Sequence, residues 1–214
     1  MSAVDEEKRL AAEAAAALVQ DGMCVGLGTG TTVAYLLPAL AARRLRLRCV
    51  ATSVATAEMA QRLGLPVEPF DSLDRLDIAI DGADQITPDG WLIKGGGGAH
   101  TREKVVAAAA ERFVVIASSN KPVARLTPPV PLELLAFGLL ATLRAVAPAT
   151  LRDAPPSPDG GLIADHLGEI GDPADLAAQL DAVPGVVGHG LFPPALVTDV
   201  IIGRGAGVEH RSLD

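Results

Sequence analysis

At 214 residues the chain has the size of one globular domain, or of one domain carrying a small lobe, which excludes a multidomain machine. Apolar residues make up 49% of it and charged residues 21%, which is too apolar and too weakly charged for intrinsic disorder. A net charge of -8 without a basic cluster, together with only 3% aromatics, argues against a nucleic-acid partner, and the longest uncharged apolar stretch, 134–143, falls well short of the roughly 20 residues of a membrane span. Small anionic ligands stay open, because backbone N–H groups and one or two lysines suffice to hold a phosphate monoester.

The first residues carry Asp5, Glu6 and Glu7 where an export signal would carry bases, so a cytoplasmic protein without membrane association is expected. Residues 5–20 are alanine-rich and predict a helix stopped by Asp21 and Gly22. A short apolar strand over 23–27, a glycine- and threonine-rich turn, a helix to about Arg44 and a strand over 45–51 make a βαβ unit. A helix over 55–63, a short strand near Val67 and an apolar strand over 76–80 follow, the last ending at Asp81. A helix over 101–111, with Thr101 as N-cap, leads to a buried strand over 113–117. This alternation predicts an α/β fold with a parallel sheet covered by helices on both faces. Cys24 and Cys49 sit in its apolar runs and are expected to be packed thiols.

Past Lys121, four prolines within ten residues (Pro122, Pro128, Pro129 and Pro131) mark a change of organisation. The expected division is a main domain over 1–126 and 197–214, with a smaller α+β lobe over 127–196. The lobe is read as a helix over 135–146, a proline-rich loop at 155–158, a strand over 162–164 and a helix over 173–181. The apolar run 197–202 is expected to return to the main sheet.

Ligands of open α/β sheets bind beyond the carboxyl ends of the strands, so four turns that follow strands carry the chemistry. The first, Gly26-Leu27-Gly28-Thr29-Gly30-Thr31-Thr32, lets backbone approach a ligand and sets threonine hydroxyls at a helix N-terminus, as a phosphate cradle requires. It lacks the third glycine of a dinucleotide fingerprint and the Gly-Lys-Ser/Thr ending of a P-loop, and a turn made for packing alone is the alternative. The second, Asp81-Gly82-Ala83-Asp84, sets two carboxylates three residues apart. They either divide acid and base roles or bond their own backbone, as Asp-Gly turns do. In the third, Lys94 precedes Gly95, Gly96, Gly97 and Gly98, a run whose chain entropy is hard to offset unless backbone must pass close to a ligand. Lys94 offers a charge for an oxyanion, and Glu103 lies in the first turn of the next helix, where an acid serves either catalysis or the helix dipole. His100 reads as a loop histidine. The fourth, Ser118-Ser119-Asn120-Lys121, presents Lys121 either to an anionic group or to solvent.

Together these segments, with Thr52, Ser53 and Thr56, and with Thr101-Arg102-Glu103-Lys104, resemble the type A ribose-5-phosphate isomerase family in order and spacing, over nearly the whole chain. The likeness extends to Leu132-Glu133, Ile163-Ala164-Asp165, residues 183–187 and Gly190-Leu191-Phe192. It implies a Rossmann-like α/β domain with a smaller lobe, a homodimer or homotetramer, and an aldose–ketose isomerase needing no metal or organic cofactor. By that likeness Glu103 is the base that moves a proton through a cis-enediolate, Lys94 stabilises the oxyanion, and Asp81 and Asp84 exchange protons with substrate hydroxyls. Substrate-binding positions carry over as Thr29, Gly30, Thr31 and Thr32, Asp81, Gly82, Ala83 and Asp84, Lys94, Gly95, Gly96 and Gly97, and Lys121. The chain departs from the pattern at Gln85, His100, Ser118 and Asn120, and most over 135–160. A sugar-phosphate sensor on the same fold, without turnover, is the second reading.

Overall fold

The computed structural model describes residues 2–213; Met1 and Asp214, the outer limits of the expected main domain, lie outside them. The first helix, α1 (Ala3–Leu18), is opened by a reciprocal cap in which the Asp5 N–H donates to Ser2 Oγ at 3.1 Å and the Ser2 N–H to Asp5 Oδ2 at 3.2 Å. After it come β1 (Cys24–Leu27), α2 (Val33–Ala42), β2 (Arg48–Ala51), α3 (Val54–Arg62), β3 (Ile78–Gly82), β4 (Gln85–Ile86), β5 (Leu92–Ile93), α4 (His100–Ala108) and β6 (Phe113–Ser118). The rest of the chain supplies β7 (Val130–Leu134), α5 (Leu139–Ala145), β8 (Ala149–Leu151), β9 (Leu162–His166), α6 (Pro173–Asp181), β10 (Val186–His189), β11 (Leu191–Phe192), β12 (Asp199–Arg204) and β13 (Gly207–Ser212).

The chain divides into two units. The first holds residues up to Ala83, Arg102–Lys121 and Ala195 onward. Among its described residues six strands form one sheet in the order β13-β12-β6-β3-β1-β2, parallel throughout except for β13. Alternation along the strands sorts the faces. Val25, Leu27, Ile78, Ile80, Val114, Ile116 and Ile201 share one core with Ala11 and Ala15 of α1 and Leu36 and Leu40 of α2. Gly26 and Ala79 point the other way, toward α4, and a Cβ at Gly26 would lie 2.5 Å from Val106 Cγ1. Helices therefore cover both faces, as the alternating pattern predicts, and each fully buried leucine or isoleucine contributes about 1.5–3 kcal/mol.

The second unit comprises Asp84–Thr101 and Pro122–Pro194. It contains an antiparallel sheet in the order β10-β7-β9-β8 and a small one in the order β11-β5-β4. Ile93, Leu132, Leu134, Ala164, Leu176, Leu180 and Leu191 belong to its core. The grouping differs from the sequence reading in segment 84–101, which that reading assigns to the main domain, and in 122–126 and 195–196. The reason is pairing: β5 bonds to β11 and β4, and the Val123 N–H donates to Ile86 O at 2.9 Å.

Other details are corrected too. α4 starts at His100, so Thr101 sits within its first turn rather than at its cap. Strands β4, β5, β7, β8, β10, β11 and β13 stand where no strand is expected, and Val67 makes a single bridge with Cys49. The run 197–202 does return to the main sheet, as β12 beside β6. Among the described residues no helix is long and apolar enough to cross a membrane.

Candidate active site

In the first unit the glycine–threonine turn is locked onto Asp81. The side chain of Asp81 is 3% exposed at the end of β3, and its Oδ1 accepts the N–H of Thr29 at 3.0 Å and of Gly82 at 2.7 Å. The turn bonds Asp81 makes to its own backbone are thus present, and they coexist with a second function, holding the neighbouring loop. The Thr29 and Thr52 hydroxyls lie 2.7 Å apart, and Thr56 Oγ1 donates to Gly28 O at 2.8 Å. Ser53 caps α3 by accepting the Thr56 N–H at 3.2 Å. These bonds tie up the turn from below. The N–H groups of Gly30, Thr31 and Thr32 find no hydrogen-bond partner among the described residues, and Gly30 holds a φ of +110° that favours glycine. Backbone N–H groups without a partner at the start of a helix are the kind of donor that an anion accepts from. Thr32 makes no side-chain cap bond.

Glu103, also in the first unit, lies in the first turn of α4 and is 4% exposed. Lys121 follows a turn in which its N–H donates to Ser118 O at 3.1 Å; it is half-buried rather than fully solvated. Ser118 is fully buried, and its hydroxyl donates to Asn120 Oδ1 at 2.7 Å, so these two departures from the family pattern satisfy one another.

In the second unit Asp84 serves the four-glycine loop as Asp81 serves the other turn. Its Oδ2 accepts the Gly96 N–H at 2.9 Å. The two carboxylates, three residues apart in sequence, are thus each fastened to a different glycine segment. Lys94 is 3% exposed; its N–H donates to Gly190 O at 2.9 Å and its ammonium lies 5.4 Å from the centroid of the Phe192 ring, a cation–π contact. Gly95 has φ +106°, and a Cβ there would meet His100 Nδ1 at 2.7 Å and Pro131 Cβ at 2.9 Å. His100 is therefore no loop histidine: it is wholly buried at the head of α4 and packs against the loop.

Sequence reasoning misses Arg152. Its guanidinium bonds both oxygens of Asp165, Nε at 2.7 Å and Nη2 at 2.6 Å, and its Nη1 donates to Gly95 O at 2.9 Å and Gly96 O at 3.2 Å. The bonds to Asp165 raise the guanidinium above its ordinary range and keep it charged. A lone arginine in a proline-rich stretch offers no periodic or motif signal. Gln85 is a departure with a visible use: its amide both donates to Thr127 O at 2.8 Å and accepts the Thr127 N–H at 2.8 Å, which a carboxylate, an acceptor only, cannot do.

The first unit thus holds a glycine–threonine turn fixed by Asp81, and the second a four-glycine loop fixed by Asp84 beside the buried ammonium of Lys94. The family described as ribose 5-phosphate isomerase A (phosphoriboisomerase A) matches residues 48–207, and that of the DeoR C terminal sensor domain matches the shorter stretch 4–64. The ribose-5-phosphate isomerase A of Nitrobacter hamburgensis is 47% identical over 209 residues, covering 88% of this chain and 90% of that protein. The crystal structure of ribose 5 phosphate isomerase A from Neisseria gonorrhoeae superimposes with a TM-score of 0.93 at 32% identity, covering 98% of this chain and 97% of that one. A D-ribose-5-phosphate isomerase in complex with phospho-erythronic acid gives 0.92 at 33% identity, covering 99% and 100%. A family match over well more than half the chain, and relatives alike from end to end, carry one conclusion: the chain belongs to the ribose 5-phosphate isomerase A family.

Proposed function

We infer that the chain is an aldose–ketose isomerase that interconverts D-ribose 5-phosphate and D-ribulose 5-phosphate in the nonoxidative pentose phosphate pathway. The observation that carries the reading is a buried carboxylate, Glu103, in the first turn of a helix, on a chain of this family. Abstraction of a proton α to a carbonyl needs a placed base and a charge for the oxygen that becomes anionic. Glu103 takes the C2 proton of the open-chain aldose and returns it to C1, while the hydroxyl proton moves from O2 to O1 across a cis-enediolate. Lys94 faces the developing oxyanion. Its burial supports this role, since an ammonium removed from water acts strongly on a nearby anion. Asp81 and Asp84 exchange protons with the sugar hydroxyls and assist ring opening. The N–H groups of Gly30, Thr31 and Thr32, with Thr29 and Lys121, receive the phosphate, and Gly82, Ala83 and Gly95, Gly96 and Gly97 give backbone contact.

A relative solved with a phosphorylated sugar acid fits this chemistry, because such an acid carries negative charge at both ends of a short polyol. The main sheet is read as Rossmann-like. Two properties accompany the reading. The thiols Cys24 and Cys49 are free, with burial pushing Cys49 up to about 12, as suits a reducing cytoplasm. Self-association as a dimer or tetramer is supported by the apolar side chains exposed on the second unit, Phe137 at 92% and Leu140 at 71%.

The test is formation of ribulose 5-phosphate from ribose 5-phosphate with EDTA present. Turnover is expected to persist in EDTA, and Glu103→Gln is expected to lose about 10²–10⁴ in kcat, the usual contribution of a general base. Thermal stabilisation by ribose 5-phosphate without turnover would replace this reading by that of a silent binder.

A further inference from the structure

We propose that Arg152 is a positioning residue, which holds the four-glycine loop so that Lys94 and Asp84 present their charges to the substrate. This rests on the isomerase reading and names a residue that reading does not use. Arg152 follows β8 directly, with its N–H fixed to Ile163 O at 2.8 Å, so its side chain starts from a rigid sheet edge. Asp165, on the adjacent β9, takes Nε and Nη2 in a two-point fork, which leaves Nη1 aimed in a fixed direction. That nitrogen meets the carbonyls of Gly95 and Gly96. The Gly96 residue is consequently gripped twice, by Asp84 at its N–H and by Arg152 at its C=O.

The sequence of the loop makes such a grip necessary. Gly95–Gly98 has no side chain with which to anchor itself, and four glycines populate many backbone states. Internally, the loop is closed by the Gly98 N–H donating to Gly95 O at 3.1 Å. Gly95 O therefore serves two donors, the Gly98 amide and the arginine. Releasing the arginine frees the peptides immediately after Lys94, and a displacement near 1 Å of a catalytic group costs on the order of 10²-fold in rate. A planar fork, not a positive charge alone, is required, since one guanidinium must span a carboxylate and two carbonyls at once.

The experiment is steady-state kinetics of the full chain on ribose 5-phosphate, with melting temperature recorded for every variant. Arg152→Met is expected to lower kcat about 10- to 100-fold while KM changes less than about threefold. Arg152→Lys, which keeps the charge and loses the fork, is expected to recover only part of the rate, and Asp165→Asn to resemble it. A kcat for Arg152→Met within about twofold of the parent overturns the proposal, as does a large loss of melting temperature with the rate per folded molecule unchanged. Hydrogen exchange of the 95–98 amides reads the grip without turnover and is expected to quicken at least about tenfold in Arg152→Met and in Arg152→Lys. Unchanged exchange in both overturns the proposal even if the isomerase reading stands, whereas a parent protein without isomerase activity defeats that reading alone.

Discussion

Gly28 is a glycine because Asp81 occupies the space where a side chain would go. A Cβ at that position would lie 2.0 Å from Asp81 Oδ1, closer than any real contact. The same oxygen accepts the Thr29 and Gly82 amides, so adding one methyl group moves the carboxylate and the turn together. Gly28→Ala is expected to cost about 1–3 kcal/mol in urea unfolding and to lower kcat at least tenfold, because overpacking here displaces a proposed catalytic group. At this scale the sequence marks the residues proposed to carry the chemistry. Glu103, Lys94, Asp81 and Asp84 stand out by type and spacing, but what each one touches does not. Arg152 escaped altogether, because the carbonyls it bonds lie 57 and 56 residues earlier in the chain.

Among the elements, α1 and β12 show how close backbones set composition. A Cβ at Gly203 would lie 1.9 Å from Glu7 O, so helix and strand meet without a side chain between them. Glu7 completes the junction: Oε2 accepts the Ser119 N–H at 3.0 Å and its hydroxyl at 2.7 Å, and Oε1 accepts the Gly205 N–H at 2.9 Å. Gly203→Ala is expected to destabilise by at least about 2 kcal/mol, measured as a lower urea midpoint with an unchanged slope, since neither backbone can yield. The helices and the parallel strands of the main sheet were largely legible, as alanine-rich or apolar segments bounded by glycine and charged residues. Strands β4, β5 and β11 have two residues each and show no period. β7 was hidden by Pro131, which reads as a breaker. In an antiparallel strand the N–H and C=O of one residue point to the same side, and the Pro131 carbonyl accepts from Gly190 at 2.7 Å just past the end of β10, so no ladder donor is lost there.

For the molecule as a whole, one contribution to acid stability comes from Asp199, which is 3% exposed in β12. The Arg112 guanidinium, bonding it at 2.6 and 2.9 Å, holds its carboxyl below the ordinary range, and His210 at 2.7 Å lowers it further. A carboxyl depressed by folding adds stability that is fully present above its unfolded value of 3.8 and is lost as pH falls through the lower folded value. Asp199→Asn is expected to cost about 1–3 kcal/mol at pH 7 and to flatten the fall of melting temperature below about pH 4, tested by thermal melts from pH 2 to 7. If the exposed apolar face of the second unit joins copies of this chain, Phe137→Glu yields a folded monomer in analytical ultracentrifugation. An unchanged mass would place the interface elsewhere.

By itself the amino-acid sequence determined the α/β class, the parallel main sheet covered by helices, and the residues proposed to carry the chemistry. These follow from short-range effects: apolar periodicity, the conformations open to glycine and proline, and charge placed after strands. Only the tertiary structure decided that segment 84–101 groups with β11, that each aspartate serves a different glycine turn, and that Arg152 reaches back to Gly95 and Gly96. Hydrogen bonds and close backbone approaches join residues far apart in sequence, and their partners are set by packing, which no local pattern encodes.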